Sequence, residues 1–176
     1  MSMANPFAPY QPQRRRIFVS YHHRGDQLYY EEFSSVFHDG FEAITDDSIE
    51  RRIDSADFDY IMRSIRDNHL KGSSCAIVLC GRDTPKRRYV DWEIEASLSQ
   101  GMGLIAVLLP TLEVFSNGGT AKPDRLQDNI DSGYAEWIWW HELWNSPASL
   151  TTIIERANSK SNRLIANNRR RMDRNG

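Results

Sequence analysis

Two stretches read apolar without alternation, 74–80 (Ser-Cys-Ala-Ile-Val-Leu-Cys) and 104–109 (Leu-Ile-Ala-Val-Leu-Leu). Runs of that length and kind fit strands buried on both faces. Between them Val90, Ile94 and Leu98 recur every four residues, one stripe of a helix over about 88–100. Strand, helix, strand is a βαβ unit and implies a parallel sheet.

The remaining pattern extends this unit in both directions. Residues 17–21 form a short apolar strand that runs into the polar turn His22-His23-Arg24-Gly25-Asp26, with Asp26 placed to cap the next helix. That helix, 26–38, carries Leu28, Tyr29, Phe33, Val36 and Phe37 at helical spacing, and Asp39-Gly40 ends it. A strand follows at 41–44, then a long polar loop at 45–55. Loops of that size inside a domain are often functional. Asp57 caps a helix with Phe58, Ile61, Met62, Ile65 and His69 on one face, and Gly72 stops it. Beyond the central unit, 123–131 reads as a short helix or an irregular segment, and the aromatic run 136–140 as a strand. Ser146-Pro147 opens a last helix expected to reach about residue 168. The order predicts an α/β fold, a doubly wound parallel five-stranded sheet of flavodoxin-like order 2-1-3-4-5. One domain, 15–145, is expected, between a lead-in at 1–14 and a C-terminal helix with a basic tail at 146–176.

Such a sheet binds ligands beyond the carboxyl ends of its strands, at the switch point between the first and third. The residues expected there are Ser20, Tyr21, His22 and His23, the loop 81–86, the loop after the second strand, and Glu93 above the same crevice.

Composition narrows the chemistry. The chain has 176 residues and a formal net charge of −2, so bulk charge argues for neither nucleic acid nor a membrane surface. The charge is uneven: 31–59 is mostly acidic and 163–174 basic, the latter read as a solvated helix end rather than a nucleic-acid contact. No apolar run approaches the ~20 residues of a membrane helix, and the first thirteen residues lack a signal-peptide core, so a cytoplasmic location is expected. Cys75 and Cys80 lie an odd number of positions apart on one strand and point to opposite faces. They can neither bond nor share a metal there, and read as buried thiols of a reducing compartment.

Familiar cradles are missing from the switch point. No phosphate-binding glycine loop follows the first strand, and Gly101-Met102-Gly103 joins a helix to a strand, the wrong context. The acidic pair of a phosphoacceptor receiver is absent. His22 and His23 are adjacent and diverge, so no metal is expected, and nothing marks Cys80 as an activated nucleophile beside His22. What remains is a carboxylate. Glu93 and Glu95 flank Ile94 and point about 200° apart, so at most one faces the crevice. One carboxylate suffices to cleave a glycosidic bond whose leaving group needs no protonation, unlike the acid–base pair of ordinary glycosidases. Nicotinamide in NAD+ is such a group: it is cationic when bound and leaves neutral. From the residues alone, a surface acid paired with an arginine is an equal reading of Glu93.

The order of these motifs resembles a known family. Ile17-Phe18-Val19-Ser20-Tyr21-His22-His23, followed by Asp46 and Ser48, resembles the start of TIR and TIR-like domains. Tyr89-Val90-Asp91-Trp92-Glu93-Ile94 is similar to their Trp-x-x-x-Glu-Ile segment, with Tyr89 in place of the usual Trp. The stretch 123–134 further resembles the TIR-like subfamily that includes ThsB of bacterial Thoeris anti-phage defence. The resemblance spans about 15–145 and implies a TIR-like fold, NAD+ as substrate rather than a held cofactor, and a catalytic glutamate at Glu93. It implies a pocket from Phe18, Ser20, Tyr21, His22 and Tyr89, with Asp46 and Asp47 either binding ribose hydroxyls or only capping their loop, and Arg82 toward pyrophosphate. It further implies a cyclic or conjugated ADP-ribose signal, made after phage infection, that activates a separate effector protein. The loop 46–55 would gate the site and assemble copies of the chain into a homo-oligomer. A non-catalytic TIR-type assembly module is the alternative.

Overall fold

The computed structural model describes residues 14–45, 57–146 and 148–176. Strand β1 (Arg15–Ser20) leads into helix α1 (Gln27–Phe37) and strand β2 (Phe41–Ile44). Helix α2 (Phe58–Ser64) runs on into a π-helical stretch, Ile65–Leu70, before β3 (Cys75–Cys80). A 3₁₀ turn, Thr84–Lys86, precedes α3 (Arg88–Ser99), which feeds β4 (Gly103–Leu108). Helix α4 (Asp124–Asp131), strand β5 (Glu136–Trp139), a 3₁₀ segment (Trp140–Trp144) and α5 (Ser149–Asn158) complete the order. The five strands are all parallel, in the sequence β2-β1-β3-β4-β5, as the pattern of elements predicted.

Alternation along the buried strands sorts the core into two layers. Phe18, Ala76, Val78, Cys80, Leu104, Ala106 and Leu108 pack on one face, together with α2 and α3. Ile17, Val19, Cys75, Ile77, Leu79, Ile105 and Val107 pack on the other, with Phe33 of α1 and the α5 stripe Leu150, Ile153, Ile154, Ala157. The two thiols point to opposite faces, as their spacing requires. Both are buried. Burial pushes the Cys75 thiol up to about 12 and moves Cys80 in the same direction, which leaves neither as a nucleophile at neutral pH.

The expected stripe Val90, Ile94, Leu98 is buried against the sheet, but α3 is covered on its outer side too. The cover is the C-terminal segment, and here the structure departs from the sequence reading. Helix α5 ends at Asn158, ten residues earlier than expected, because its apolar stripe runs out into Ser159, Lys160, Ser161 and Asn162. Ser161 caps a short 3₁₀ turn, Asn162–Leu164, and Ile165 then joins the core on the opposite face of the sheet. The basic end is therefore not a frayed helix. It crosses over and lies along α3 and α4, where Arg169 pairs with Asp128 and Asp124, and Arg171 with Glu95.

The segment 123–131, left open as helix or irregular, is the amphipathic helix α4. Its buried polar residues explain its composition. Arg125 pairs with Asp91 of α3, and Asn129 binds the backbone of Ala166 through both its amide groups. Tyr134, just after the helix, donates to the Met102 carbonyl.

Candidate active site at the β1–β3 switch point

The site forms where β1 and β3, neighbours in the sheet, release the chain at their carboxyl ends. Ser20, the last residue of β1, lies on the same face of the strand as Phe18, and that face meets α3. The Ser20 hydroxyl donates to a carboxylate oxygen of Glu93, and both side chains are buried, Glu93 to 1% exposure. Glu93 thus points inward from α3 to the switch point. Glu95, about 200° away around the helix, points outward and pairs with Arg171 and Arg125. The choice between the two carboxylates, open from spacing alone, is made by which face of α3 packs on the sheet.

The turn after β1 is one helical turn, with Asp26 and Gly25 both donating backbone bonds to the His22 carbonyl. His22 is buried against Gly25, where a side chain would collide with its ring. Tyr21 leaves on the opposite face from Ser20. It stacks on Tyr30 at 4.6 Å between ring centres and donates from its hydroxyl to Gln27. Tyr89, at the first turn of α3, is fully buried. Its hydroxyl donates to the Tyr21 carbonyl (3.1 Å) and accepts from the His23 amide (3.2 Å), which ties the helix that carries Glu93 to the turn after β1. Phe18 is wholly inside the core beneath Ser20. Arg82 is exposed on the loop after β3. Asp46 and Asp47, and the loop 46–55 to which gating and assembly were assigned, lie outside the described residues. Ser20, Tyr21, His22, Tyr89 and Glu93 therefore gather around the end of β1, and Phe18 lies under them.

Sequence reading missed the inward role of Asp26. The residue occupies the cap position of α1, yet its side chain makes no cap bond. It turns instead into the loop after β3, accepting from the Thr84 hydroxyl (3.3 Å), which itself accepts from the Gly81 amide (2.8 Å). A β-carbon at Gly81 would run into that carboxylate, so glycine leaves the space that Asp26 fills. Burial raises the Asp26 pKa from 3.8 to about 6, opposed by the Thr84 bond and assisted by nearby Asp83. A carboxyl whose folded pKa is raised binds its proton more tightly in the folded state. Its contribution is fully present below the unfolded value and is lost as pH rises through about 6. Stability is thus expected to fall by roughly 1–1.5 kcal/mol from this group between pH 5 and pH 7.5. Urea unfolding at both values checks this, and Asp26→Asn should remove that part of the difference.

Among the described residues, no cluster of three or more His, Cys, Asp and Glu side chains is arranged to hold a metal ion. No helix among them is long and apolar enough to cross a membrane.

Among solved structures the chain is similar to the TIR domains of the activated Roq1 resistosome directly recognizing the pathogen effector XopQ, at 15% identity and a TM-score of 0.38. The alignment covers 55% of this chain and 58% of that one. No curated protein gives a significant match. Residues 18–114, more than half of the chain, run from the core of β1 through the Ser20–Glu93 pair and past β4, and they match the family described as the TIR-like domain of the Thoeris protein ThsB, to which this chain belongs.

Proposed function

We propose that the chain is an NAD+-consuming enzyme of anti-phage defence that cleaves the nicotinamide–ribose bond and makes an ADP-ribose-derived signal for a separate effector protein. One observation carries the reading: Glu93 is buried at the switch point, its carboxylate held by Ser20, while its neighbour Glu95 is spent on the opposite side of the helix. Membership in the ThsB TIR-like family supports the defence setting.

The chemistry asks little of the protein. The bond between the ribose C1′ and the pyridinium nitrogen breaks, its electron pair goes to that nitrogen, and nicotinamide leaves neutral. The sugar is left as an oxocarbenium-like cation. Glu93, as a carboxylate, accepts from ribose hydroxyls and faces the developing positive charge, and a preorganised negative group in a dry site does this at little cost in reorganisation. Arg82, exposed on the loop after β3, carries the charge to meet a pyrophosphate. A nucleophile then adds its electron pair at C1′: water does so and releases a proton to give ADP-ribose, a ring nitrogen of the adenine gives a cyclic product, and another acceptor gives a conjugate.

Ser20 sets the direction of the carboxylate, and its removal supplies a graded test. Ser20→Ala is expected to lower kcat for nicotinamide release about 10- to 100-fold with little change in KM, since it misaligns the carboxylate without removing it. Unchanged kcat in a folded variant would remove Ser20 from the reaction.

A further inference from the structure

The helix that carries Glu93 is gripped from outside by a segment more than seventy residues away in sequence. Helix α3 begins at Arg88 with no side-chain cap from its own N-terminal neighbour, Arg87. Its first amide, that of Arg88, donates instead to the side chain of Asn175 (2.9 Å). The Arg88 guanidinium donates to the Asp173 carbonyl (2.9 Å), and the Trp92 indole N–H to the Met172 carbonyl (3.0 Å). The Met172 amide donates to Asp91 (2.9 Å), and the Arg171 Nε–H is shared between both oxygens of Glu95. Residues 88, 91, 92 and 95 form one stripe along α3, and the tail fills it.

Beneath the tail lies a buried ion pair. Arg125 of α4 meets Asp91 at 2.8 Å, with both side chains almost fully enclosed. The other donors of the guanidinium are taken by the tail, Nη1 by Asn167 and Nη2 by the Arg169 carbonyl. Each half of the pair therefore completes its bonding on tail atoms. Asp91 and Glu93 are two positions apart and point to opposite sides of the helix. Whatever fixes the rotation of α3 at Asp91 also fixes the direction of Glu93.

We propose that the tail, residues 165–176, is a positioning clamp for Glu93: it caps α3, seals the Asp91–Arg125 pair, and so sets the rotation at which the carboxylate meets Ser20. The claim goes beyond the proposed reaction, and only its kinetic consequence rests on that reading. Beside these backbone and amide bonds, the tail is held by ion pairs at Arg169 and Arg171, and the first can be reversed without touching the core. Arg169 is partly exposed and forks onto Asp128 at 2.7 and 2.8 Å.

The test uses the full chain with Arg169→Glu alone and with Arg169→Glu combined with Asp128→Arg, which restores the pair with its signs exchanged. Three readouts are followed: amide hydrogen exchange over 88–91, the ¹³C resonance of the Glu93 side-chain carboxyl, and kcat and KM for nicotinamide release. The single reversal is expected to speed exchange at least about tenfold, move the Glu93 resonance, and lower kcat about tenfold with KM within about twofold. The exchanged pair is expected to restore all three. Faster exchange with an unmoved resonance and unchanged kcat would make the tail a mere cover and overturn the proposal. A tail still protected after charge reversal would overturn it too, because paired charges would not be what holds the clamp. If the parent chain releases no nicotinamide, the reaction assigned to Glu93 fails, and exchange and resonance still decide the clamp.

Discussion

Glu93→Gln is expected to lose nicotinamide release by roughly three orders of magnitude or more, while the variant stays folded. Glutamine keeps the length and shape of the side chain and can still accept from the Ser20 hydroxyl, so the packing at the end of β1 is preserved. On the proposed reaction, what disappears is the negative charge facing the sugar as it becomes cationic, an interaction far stronger in the transition state than in bound substrate. The loss should therefore fall on kcat and not on KM. Glu95→Gln is the matched control, two positions away on the same helix. Its carboxylate is turned outward to Arg171 and Arg125. Its effect should stay within about tenfold, through the tail alone. Equal losses in the two variants would contradict the assignment of the inner carboxylate.

The largest effect on stability is expected at a residue that touches no part of that chemistry. Arg125→Ala should cost about 3–5 kcal/mol, because it leaves Asp91 buried and charged without its partner. The guanidinium also donates to Asn167 and to the Arg169 carbonyl, so the tail loses two anchors at once. By the usual size scaling the melting temperature should fall by roughly 10 °C. Arg170→Ala is the informative comparison: its partner Asp173 is exposed and close in sequence, and exposed pairs contribute less than about 1 kcal/mol. Urea unfolding of the three proteins separates these cases. A small loss in Arg125→Ala would mean that the tail opens readily enough for water to solvate Asp91.

The contrast between these two sites matches what the sequence made visible. The βαβ unit, the parallel order and the two-faced strand β3 were legible because they rest on period and burial, which are local properties. Glu93 was legible as one of two carboxylates, since helical geometry divided them, and the motif around it resembled a TIR-like segment. Its contact with Ser20 follows only from the register of β1 beside β3 and from the face of α3 that packs down. Asp26 looked like a helix cap because such residues usually cap helices. Its inward turn depends on Gly81 and Thr84, more than fifty positions later. The tail was the least legible part. A run of arginines reads as solvated unless its acidic partners are known, and those partners, Glu95, Asp124 and Asp128, lie 41 to 76 positions upstream. Long-range charge pairing leaves no periodic trace in a sequence.

The central claim, that the buried carboxylate at the switch point breaks the nicotinamide–ribose bond, is tested most directly by mass spectrometry of NAD+ incubated with the chain. Purified protein and lysate from phage-infected cells expressing it would each be run beside Glu93→Gln. Nicotinamide together with an ADP-ribose-type product is expected from the parent chain, both absent with the variant. Intact NAD+ in every sample, or equal turnover by the variant, would contradict it and favour a TIR-like module that assembles without catalysis.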